Sequence, residues 1–455
     1  MIDPSIFKAY DVRGIAPSQL DGEIARRIGR AFVEYIGGGR IAVGHDARVS
    51  SPEIANGFAR GALSQGASVI DVGQVGTDML YFVVGKQGLD GGAIITASHN
   101  PKEWNGIKMV RRGAQALSGD AGGGIKEIRD SLLAGRFADD PPATSSAQPQ
   151  PINADYADHC LSFIDPAAVR PAKLVLDTGN GMGAVGASAI LSRLPLELVK
   201  MNFELDGTFP NHPPDPLEEA NRRDLLERVL AERAALGIAW DGDADRCFFV
   251  DDTGSFVPGD FVTALLGETF CAKERGARIV YDVRASRAVG DRIGAAGGRA
   301  LMHRVGHAFI KKRMRDENAA FGGEVSGHYY FRDNWYADNG MIPALLMLEL
   351  LGKTGRRLSE LLGPLRERYH ISGELNSRVD DVPAAIARIE ERYAGARITK
   401  LDGLSVDYDD WHFNVRPSNT EPLLRLNLEA YSEARMIEKR DEVLSVLRSS
   451  ARERA

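Results

Sequence analysis

The sequence predicts an α/β protein: three related α/β units followed by a small α+β domain. Three observations predict it. Strand-like and helix-like segments of ordinary length alternate along most of the chain. Three of the strands end in aspartate (Asp46, Asp177 and Asp282), each followed by polar residues and a helix, a weak internal repeat of about one domain length. Near the C-terminus, Leu424, Leu426 and Leu428 alternate with Arg425, Asn427 and Glu429, the period of two of a sheet with one solvated face.

The chain opens with Phe7-Lys8-Ala9-Tyr10-Asp11-Val12-Arg13-Gly14, a polar turn made by Tyr, Asp and Arg before a glycine. A helix follows near Asp21 to Tyr35, then a strand from Ile41 to Asp46. Ser50-Ser51-Pro52-Glu53 reads as a helix start, with serine as cap and proline in the first turn, and the helix buries Ile54, Phe58, Ala62 and Leu63. Strands follow at Ser68 to Val72 and Gly91 to Thr96. Residues 138–152 form a Pro/Ser/Gln run of low hydrophobicity, the clearest linker in the chain.

Beyond it, Lys173 to Asp177 is a strand, followed by Gly181, Gly183 and Gly186 in the spacing G-x-G-x-x-G. In a chain with 49 glycines such spacings recur by chance, and no clean strand ending in Asp or Glu lies about twenty residues on. A structural strand-to-helix turn is therefore preferred to nicotinamide binding. Another strand, Ala277 to Asp282, leads into Arg284 and Ser286, and a short one covers Ala319 to Phe321. The C-terminal part reads as a helix (Pro383 to Tyr393), short strands at Ile398 to Leu401, Ser405 to Tyr408, Trp411 to Val415 and Leu424 to Ala430, and a last helix from Glu433 to Arg448.

With 455 residues the chain is too long for one ordinary core, so three domains or more are expected. A formal net charge of -7 argues against general nucleic-acid binding but leaves room for a local basic pocket. The cysteines, Cys160, Cys247 and Cys271, form no C-x-x-C pair, which suggests a reducing compartment without a disulfide framework. Met1-Ile2-Asp3-Pro4 lacks the features of a signal peptide, and the apolar stretch Met341 to Leu351 is too short to span a bilayer and contains Glu349. A cytoplasmic protein is expected.

Four loops carry candidate chemistry. Thr96-Ala97-Ser98-His99-Asn100-Pro101 puts a hydroxyl, an imidazole and an amide on a turn after a buried strand, with Lys108 further on. The turn can carry a phosphoryl group on Ser98, and a plain Ser/Asn turn reads it equally well. Asp241-Gly242-Asp243-Ala244-Asp245-Arg246 lies between apolar flanks. On near-extended chain its three carboxylates point to one side, where they repel one another unless a cation sits between them. All-oxygen ligands suit Mg²⁺ or Ca²⁺. An EF-hand is rejected, because its glycine and glutamate places hold Arg246 and Asp252. In Gly322-Gly323-Glu324-Val325-Ser326-Gly327-His328, Glu324 and Ser326 can bond sugar hydroxyls, or form a tight polar turn. His307 is a candidate base or a capping residue. Arg416-Pro417-Ser418-Asn419-Thr420-Glu421-Pro422 offers a guanidinium, hydroxyls and an amide, a phosphate cradle or a surface turn.

Together, T-A-S-H-N-P, D-G-D-A-D-R, G-E-V-S-G-H and R-P-S-N-T-E-P, in this order and spacing, resemble the α-D-phosphohexomutase superfamily, within it the bacterial phosphomannomutase/phosphoglucomutase group. The resemblance covers essentially the whole chain, including F-K-A-Y-D-V-R-G. It implies three α/β domains with mixed sheets (1–143, 153–252 and 253–366) and a TATA-binding-protein-like α+β domain (367–455) around a central cleft, each giving one loop. It implies a phosphoserine at Ser98 and Mg²⁺ held by Ser98, Asp241, Asp243 and Asp245. Arg246 steadies the phosphoserine region, and His99, Lys108 and His307 handle protons or phosphate. Tyr10, Arg13, Arg284, Glu324, Ser326, His328, Arg416, Ser418, Asn419 and Thr420 meet the substrate.

The implied reaction interconverts hexose 1-phosphate and 6-phosphate, of mannose or glucose, through a hexose 1,6-bisphosphate. A separate, mobile C-terminal domain is expected to carry the phosphate cradle. The implied partner is a small phosphosugar, with no nucleic acid and no membrane, and the chain is expected as a monomer or weak dimer. Asn419 leans toward phosphomannomutase/phosphoglucomutase, since phosphoglucosamine mutases usually show glycine there. Arg284 stands where close relatives tend to have lysine. Phosphoglucosamine mutase and a catalytically silent sugar-phosphate binder are the alternatives.

Overall fold

The computed structural model describes residues 2–120, 122–139, 141–143, 145–417 and 423–448. The chain divides into two compact units, Met1–Val257 with Ser326–Leu358, and Pro258–Val325 with Ser359–Ala455.

The first unit holds two mixed sheets. In the seven-stranded one, Arg40–His45 runs parallel to both Ser68–Gln74 and Gly91–Ile95. Trp104–Arg111 is antiparallel to Gly91–Ile95, and Val12–Ile15 is antiparallel to Trp104–Arg111. The loops that follow the parallel strands leave from their carboxyl ends, the usual place for a site in an α/β sheet. Helix Gly22–Ile36 starts where Asp21 accepts the Ile24 N–H at 2.8 Å and ends at Gly37, φ 82°. Its buried stripe, Ala25, Ile28, Phe32 and Val33, packs on helix Ser51–Ser64, with the Phe32 and Phe58 rings 5.7 Å apart.

The expected linker is not free along its length. Gln148–Pro149 adds a parallel edge to Ser68–Gln74, with Gln148 opposite Ile70, and the Gln150 N–H donates to the Asp71 carbonyl at 2.8 Å. A sheet edge accepts proline, because no second strand asks for its missing donor. Upstream, Arg26 and Arg30 of the first helix both donate to the Asp139 carbonyl.

In the second sheet Leu236–Trp240 and Leu196–Met201 flank Ala172–Asp177 in parallel. Cys247–Val250 is antiparallel to Leu236–Trp240, and Phe256–Val257 adds the edge, so this sheet runs past residue 252.

The second unit has a parallel core, Arg278–Asp282 between Arg299–His303 and Phe321–Gly323, with helices Gly259–Lys273, Arg287–Ala295 and His307–Glu317. It continues into an antiparallel five-stranded sheet in the order His370–Arg378, Leu423–Ala430, Trp411–Pro417, Leu404–Asp407 and Arg397–Thr399. Leu424, Leu426 and Leu428 are buried with Phe413, Val415, Ile389 and Leu447, and the last helix runs Glu433–Arg448.

The C-terminal sheet shares its compact unit with the third α/β layer. Arg287, at the head of its helix, donates to the Tyr408 and Asp409 carbonyls and pairs with Asp407 at 3.2 Å, which ties the third α/β layer to that sheet within one unit.

The strand-end aspartates repeat one device. A carboxylate oxygen accepts the N–H two residues on: Arg48 from Asp46 at 3.0 Å, Gly179 from Asp177 at 2.9 Å, Arg284 from Asp282 at 2.8 Å. The three cysteines are free, buried thiols. No helix among the described residues is long and apolar enough to cross a membrane.

Candidate active site

Leu236–Trp240 and Cys247–Val250 form a hairpin with Trp240 opposite Cys247, and residues 241–246 turn the chain between them. The sequence reading places the aspartates on a bend within extended chain, with near-extended spacing turning them to one side. The structure has a tight turn there, with Ala244 at φ 60°. One oxygen of each of Asp241, Asp243 and Asp245 lies within 4.8 Å of the others, and all three side chains are buried. Three carboxylates this close need positive charge among them. Lys108 supplies one: its Nζ is 2.6 Å from Asp243 and 2.6 Å from Asp245. It sits on Trp104–Arg111, opposite Ile94, so a strand rather than a loop aims it.

Thr77 also holds the turn, donating its hydroxyl to Asp243 Oδ2 at 2.6 Å and its N–H to the Asp243 carbonyl at 2.9 Å. Burial opposes ionisation of Asp243, yet the Lys108 ammonium holds it far below the usual carboxylate range. Burial, then Asp243, push Asp245 well up. Burial raises Asp241 against the pull of Arg246, whose Nε donates to Asp241 at 2.8 Å.

Ser98 follows the buried strand Gly91–Ile95 and has φ 51°. A non-glycine residue there carries strain of about 1–3 kcal/mol, so its surroundings must hold it. Thr96 Oγ1 accepts the Ser98 N–H at 2.9 Å. The Arg48 guanidinium donates to the carbonyls of Ser98, Asn100 and Pro101 at 2.7 Å each, to that of Trp104 at 3.0 Å, and to Asp46 at 3.2 Å. The Ser98 hydroxyl donates to Asp241 Oδ2 at 2.6 Å. His99 Nδ1 lies 3.2 Å from the same hydroxyl, and its desolvation, then Arg246, keep the imidazole well below its usual pKa and so neutral near pH 7.

Arg13 pairs with Asp11 and with the Asn100 side chain on the serine loop, and Tyr10 lies just before strand Val12–Ile15. Ser326 Oγ is 2.9 Å from His328 Nδ1, and His328 Nε2 is 3.6 Å from Asp245. Thus Arg13, Ser98, His99, Lys108, the three aspartates, Arg246, Ser326 and His328 form one group in the first unit.

A second group forms in the other unit. Arg284 makes a paired contact to Asp282, Nε at 3.0 Å and Nη2 at 2.9 Å. Glu324 is buried and accepts the Gly306 N–H at 3.0 Å, beside the helix that His307 opens. Arg416 pairs with Glu374 at 3.1 Å. Ser418, Asn419 and Thr420 lie outside the described residues.

Comparison with known proteins finds relatives along nearly the whole chain. Residues 4–135, 154–254 and 258–369 match the α/β/α domains I, II and III of phosphoglucomutase/phosphomannomutase, and residues 374–446 match its C-terminal domain. The chain belongs to the phosphoglucomutase/phosphomannomutase family. It is 41% identical over 443 residues to a protein named "Phosphohexose mutases" from Xanthomonas campestris pv. campestris (strain B100), covering 97% of this chain and 98% of that one. It is 42% identical over 455 residues to a "Phosphomannomutase" of Salmonella montevideo, covering 97% and 99%. The crystal structure of a phosphoglucomutase/phosphomannomutase family protein from Burkholderia thailandensis superposes with a TM-score of 0.89 at 34% identity, over 99% of each chain. As a member of this family the chain is an enzyme.

The family implies a divalent cation, and the aspartate turn fits one. Its donors are all oxygen, which suits Mg²⁺. Oδ1 of Asp243 and Oδ1 of Asp245 are buried with no hydrogen-bond partner among the described residues, an expensive arrangement unless a cation uses them.

The Gly181-Gly183-Gly186 spacing serves packing, as the sequence reading preferred. A Cβ at Gly181 would lie 2.7 Å from the Gly242 carbonyl, and the Met182 N–H donates to that carbonyl at 3.0 Å. Three residues escaped the sequence reading. Thr77 offers no signal at all. Arg48 could have been found by comparing strand ends, since Asp46-x-Arg48 matches Asp282-x-Arg284. Glu374 gathers three guanidiniums that lie far apart in sequence.

Proposed function

We propose that this enzyme interconverts hexose 1-phosphate and hexose 6-phosphate, with mannose and/or glucose as the sugar, through a phosphoserine at Ser98 and a hexose 1,6-bisphosphate. The observation that carries the reading is the Ser98 hydroxyl, 2.6 Å from Asp241 on a strained turn beside three buried aspartates. That is the charge pattern phosphoryl transfer asks for, since such reactions depend on positioning and neutralisation.

In the first transfer the Oγ–P bond of phosphoserine breaks and a bond forms from phosphorus to a sugar hydroxyl oxygen, which gives up its proton while the Ser98 oxygen gains one. The bisphosphate turns around, and Ser98 takes back the other phosphate. Asp241, Asp243 and Asp245, with the Ser98 oxygen, would hold Mg²⁺, which supplies charge neutralisation to the moving phosphoryl group. Lys108 neutralises Asp243 and Asp245 from strand Trp104–Arg111 of the seven-stranded sheet. His99, kept neutral, is a nitrogen base within 3.2 Å of the Ser98 oxygen. Arg246 anchors Asp241. Glu324, Ser326 and His328 would read sugar hydroxyls, and His307, at the head of its helix, would handle protons or phosphate. Tyr10 and Arg13 would line the mouth, and Arg284, Arg416, Ser418, Asn419 and Thr420 would grip the phosphate that is not reacting. Four domains would each give one loop, the first running to Pro149 and the second to Val257.

A coupled assay of mannose 1-phosphate, glucose 1-phosphate and glucosamine 1-phosphate, primed with glucose 1,6-bisphosphate, tests the reading. Turnover of mannose or glucose phosphate supports it, and inactivity on all three overturns it. Ser98→Ala and Asp243→Asn should each lower turnover by about a hundredfold or more. Intact-mass spectrometry should show one added phosphate on wild type and none on Ser98→Ala.

A further inference from the structure

The second sheet is hollowed at the end of its parallel strands opposite the aspartate turn. A cavity of about 600 Å³ lies there, wholly within the first unit. Ala172, which opens strand Ala172–Asp177, and Ala235, just before strand Leu236–Trp240, both line it. Roughly 15 Å of strand therefore separates the cavity from the loops that follow Asp177 and Trp240. Two helices, Glu219–Glu232 and Met341–Thr354, end at its rim.

The chain carries a net charge of -7, yet this lining is cationic. Arg170, Lys173, Arg233, Arg356 and Arg357 stand against one lining carboxylate, Asp252. Part of the charge is already answered. Lys173 pairs with Glu197 at 3.0 Å and with Glu232 at 3.2 Å, and Arg357 with Asp252 at 3.5 Å. Arg170 and Arg233 have no ion pair or side-chain hydrogen bond among the described residues. Two helix C-termini together amount to about one negative charge, so two unpaired guanidiniums leave positive charge in excess. A Cβ at Gly355 would lie 3.1 Å from Arg170 Nη1, and glycine, at φ 65°, leaves that guanidinium its place over the helix end.

Between the cations the lining is apolar. Leu348 is buried, Leu351 half-buried, and Leu230 is 54% exposed although it lies in a hollow. An open leucine costs free energy that a ligand covering it would recover. Guanidiniums fork phosphate oxygens and also stack on planar rings. The volume is that of a small-molecule site, with an apolar floor and a few charged groups.

We propose that this cavity binds a nucleotide-like organic phosphate, with Arg170 and Arg233 taking the phosphate and Leu230 and Leu351 the planar moiety. The site shares no residue with the proposed turnover, so it stands whether or not the chain acts on hexose phosphates.

The test uses the full chain with ADP as probe, and adenosine and inorganic pyrophosphate as its two halves, each measured by calorimetry. ADP should bind with a Kd of about 1 mM or tighter, and each half more weakly than the whole. Arg170→Gln and Arg233→Gln should each weaken ADP about tenfold, the size of a lost hydrogen bond to a charged group. Leu230→Ser should weaken ADP several-fold and leave pyrophosphate unchanged, because only the planar part rests on it. Photolysis of 8-azido-ADP on wild type should label a peptide holding residues 230–235 or 348–357, which locates the site without any variant. No measurable ADP binding, wild-type ADP affinity in both arginine variants, or labelling confined to other peptides overturns the proposal. Pyrophosphate binding as tightly as ADP would reduce the cavity to a patch of positive charge and overturn it as well.

Discussion

Arg48 Nη2 donates to the Ser98 carbonyl at 2.7 Å across 50 residues of sequence. With the bonds to Asn100, Pro101 and Trp104, one side chain fixes the backbone that aims the serine hydroxyl. A lysine keeps the charge but cannot span four carbonyls. Arg48→Lys should therefore lower kcat about tenfold or more while KM stays within about threefold, because the substrate contacts are untouched. Steady-state kinetics checks this; a change in KM alone would contradict it. Arg48→Ala, which strands the buried Asp46, should cost about 3–5 kcal/mol in urea unfolding.

Much of this site was legible because its signals are local. The strand ending at Ile95, the apolar flanks of the aspartate turn and the alternation of Leu424, Leu426 and Leu428 can each be read within a few residues. What lay hidden is what folding brings from a distance. Arg48 acts on carbonyls, which leave no trace in side-chain identity. Thr77 meets Asp243 across 166 positions. The aspartates read as a cluster on a bend between two apolar strands, but carboxylate spacing alone does not give the tightness of that bend, with Ala244 at φ 60°. The linker composition of 138–152 was real, but composition cannot show that a sheet edge lies within reach of Gln148.

The aspartate turn and the serine loop touch through Gly242, where a Cβ would lie 2.4 Å from the Ser98 carbonyl. Gly242→Ala should move the serine away from Asp241, cutting turnover by about a hundredfold and lowering stability by about 1–3 kcal/mol as an overpacked contact. Kinetics with a melting curve reads both. Near-normal activity would mean the loops need not be this close.

Lys108 and a divalent cation answer the same repulsion, so their contributions should be coupled. In wild type a chelator should abolish turnover and Mg²⁺ restore it. In Lys108→Met, Asp243 and Asp245 lose their fixed partner. The variant should melt lower than wild type in chelator and gain more on adding Mg²⁺. Equal gains in the two proteins would show that the ammonium and the cation act independently.

Asp78 gives a prediction in pH. It is fully buried near the head of helix Thr77–Lys86, accepting from the Met79 N–H at 2.8 Å and from the Tyr156 hydroxyl, to which Asn339 donates at 3.0 Å. Burial raises its pKa from 3.8 to about 7. Below pH 3.8 the carboxyl is protonated in both folded and unfolded chains. Between that value and about 7 the folded chain keeps a proton that the unfolded chain gives up, so stability falls as pH rises; above the window the loss is complete. The span corresponds to a few kcal/mol at most, at about 1.4 kcal/mol per unit. Asp78→Asn cannot ionise, so its urea midpoint should fall less than that of wild type from pH 5 to pH 8, with the curves closest at the acid end. Parallel curves would place the raised carboxyl elsewhere.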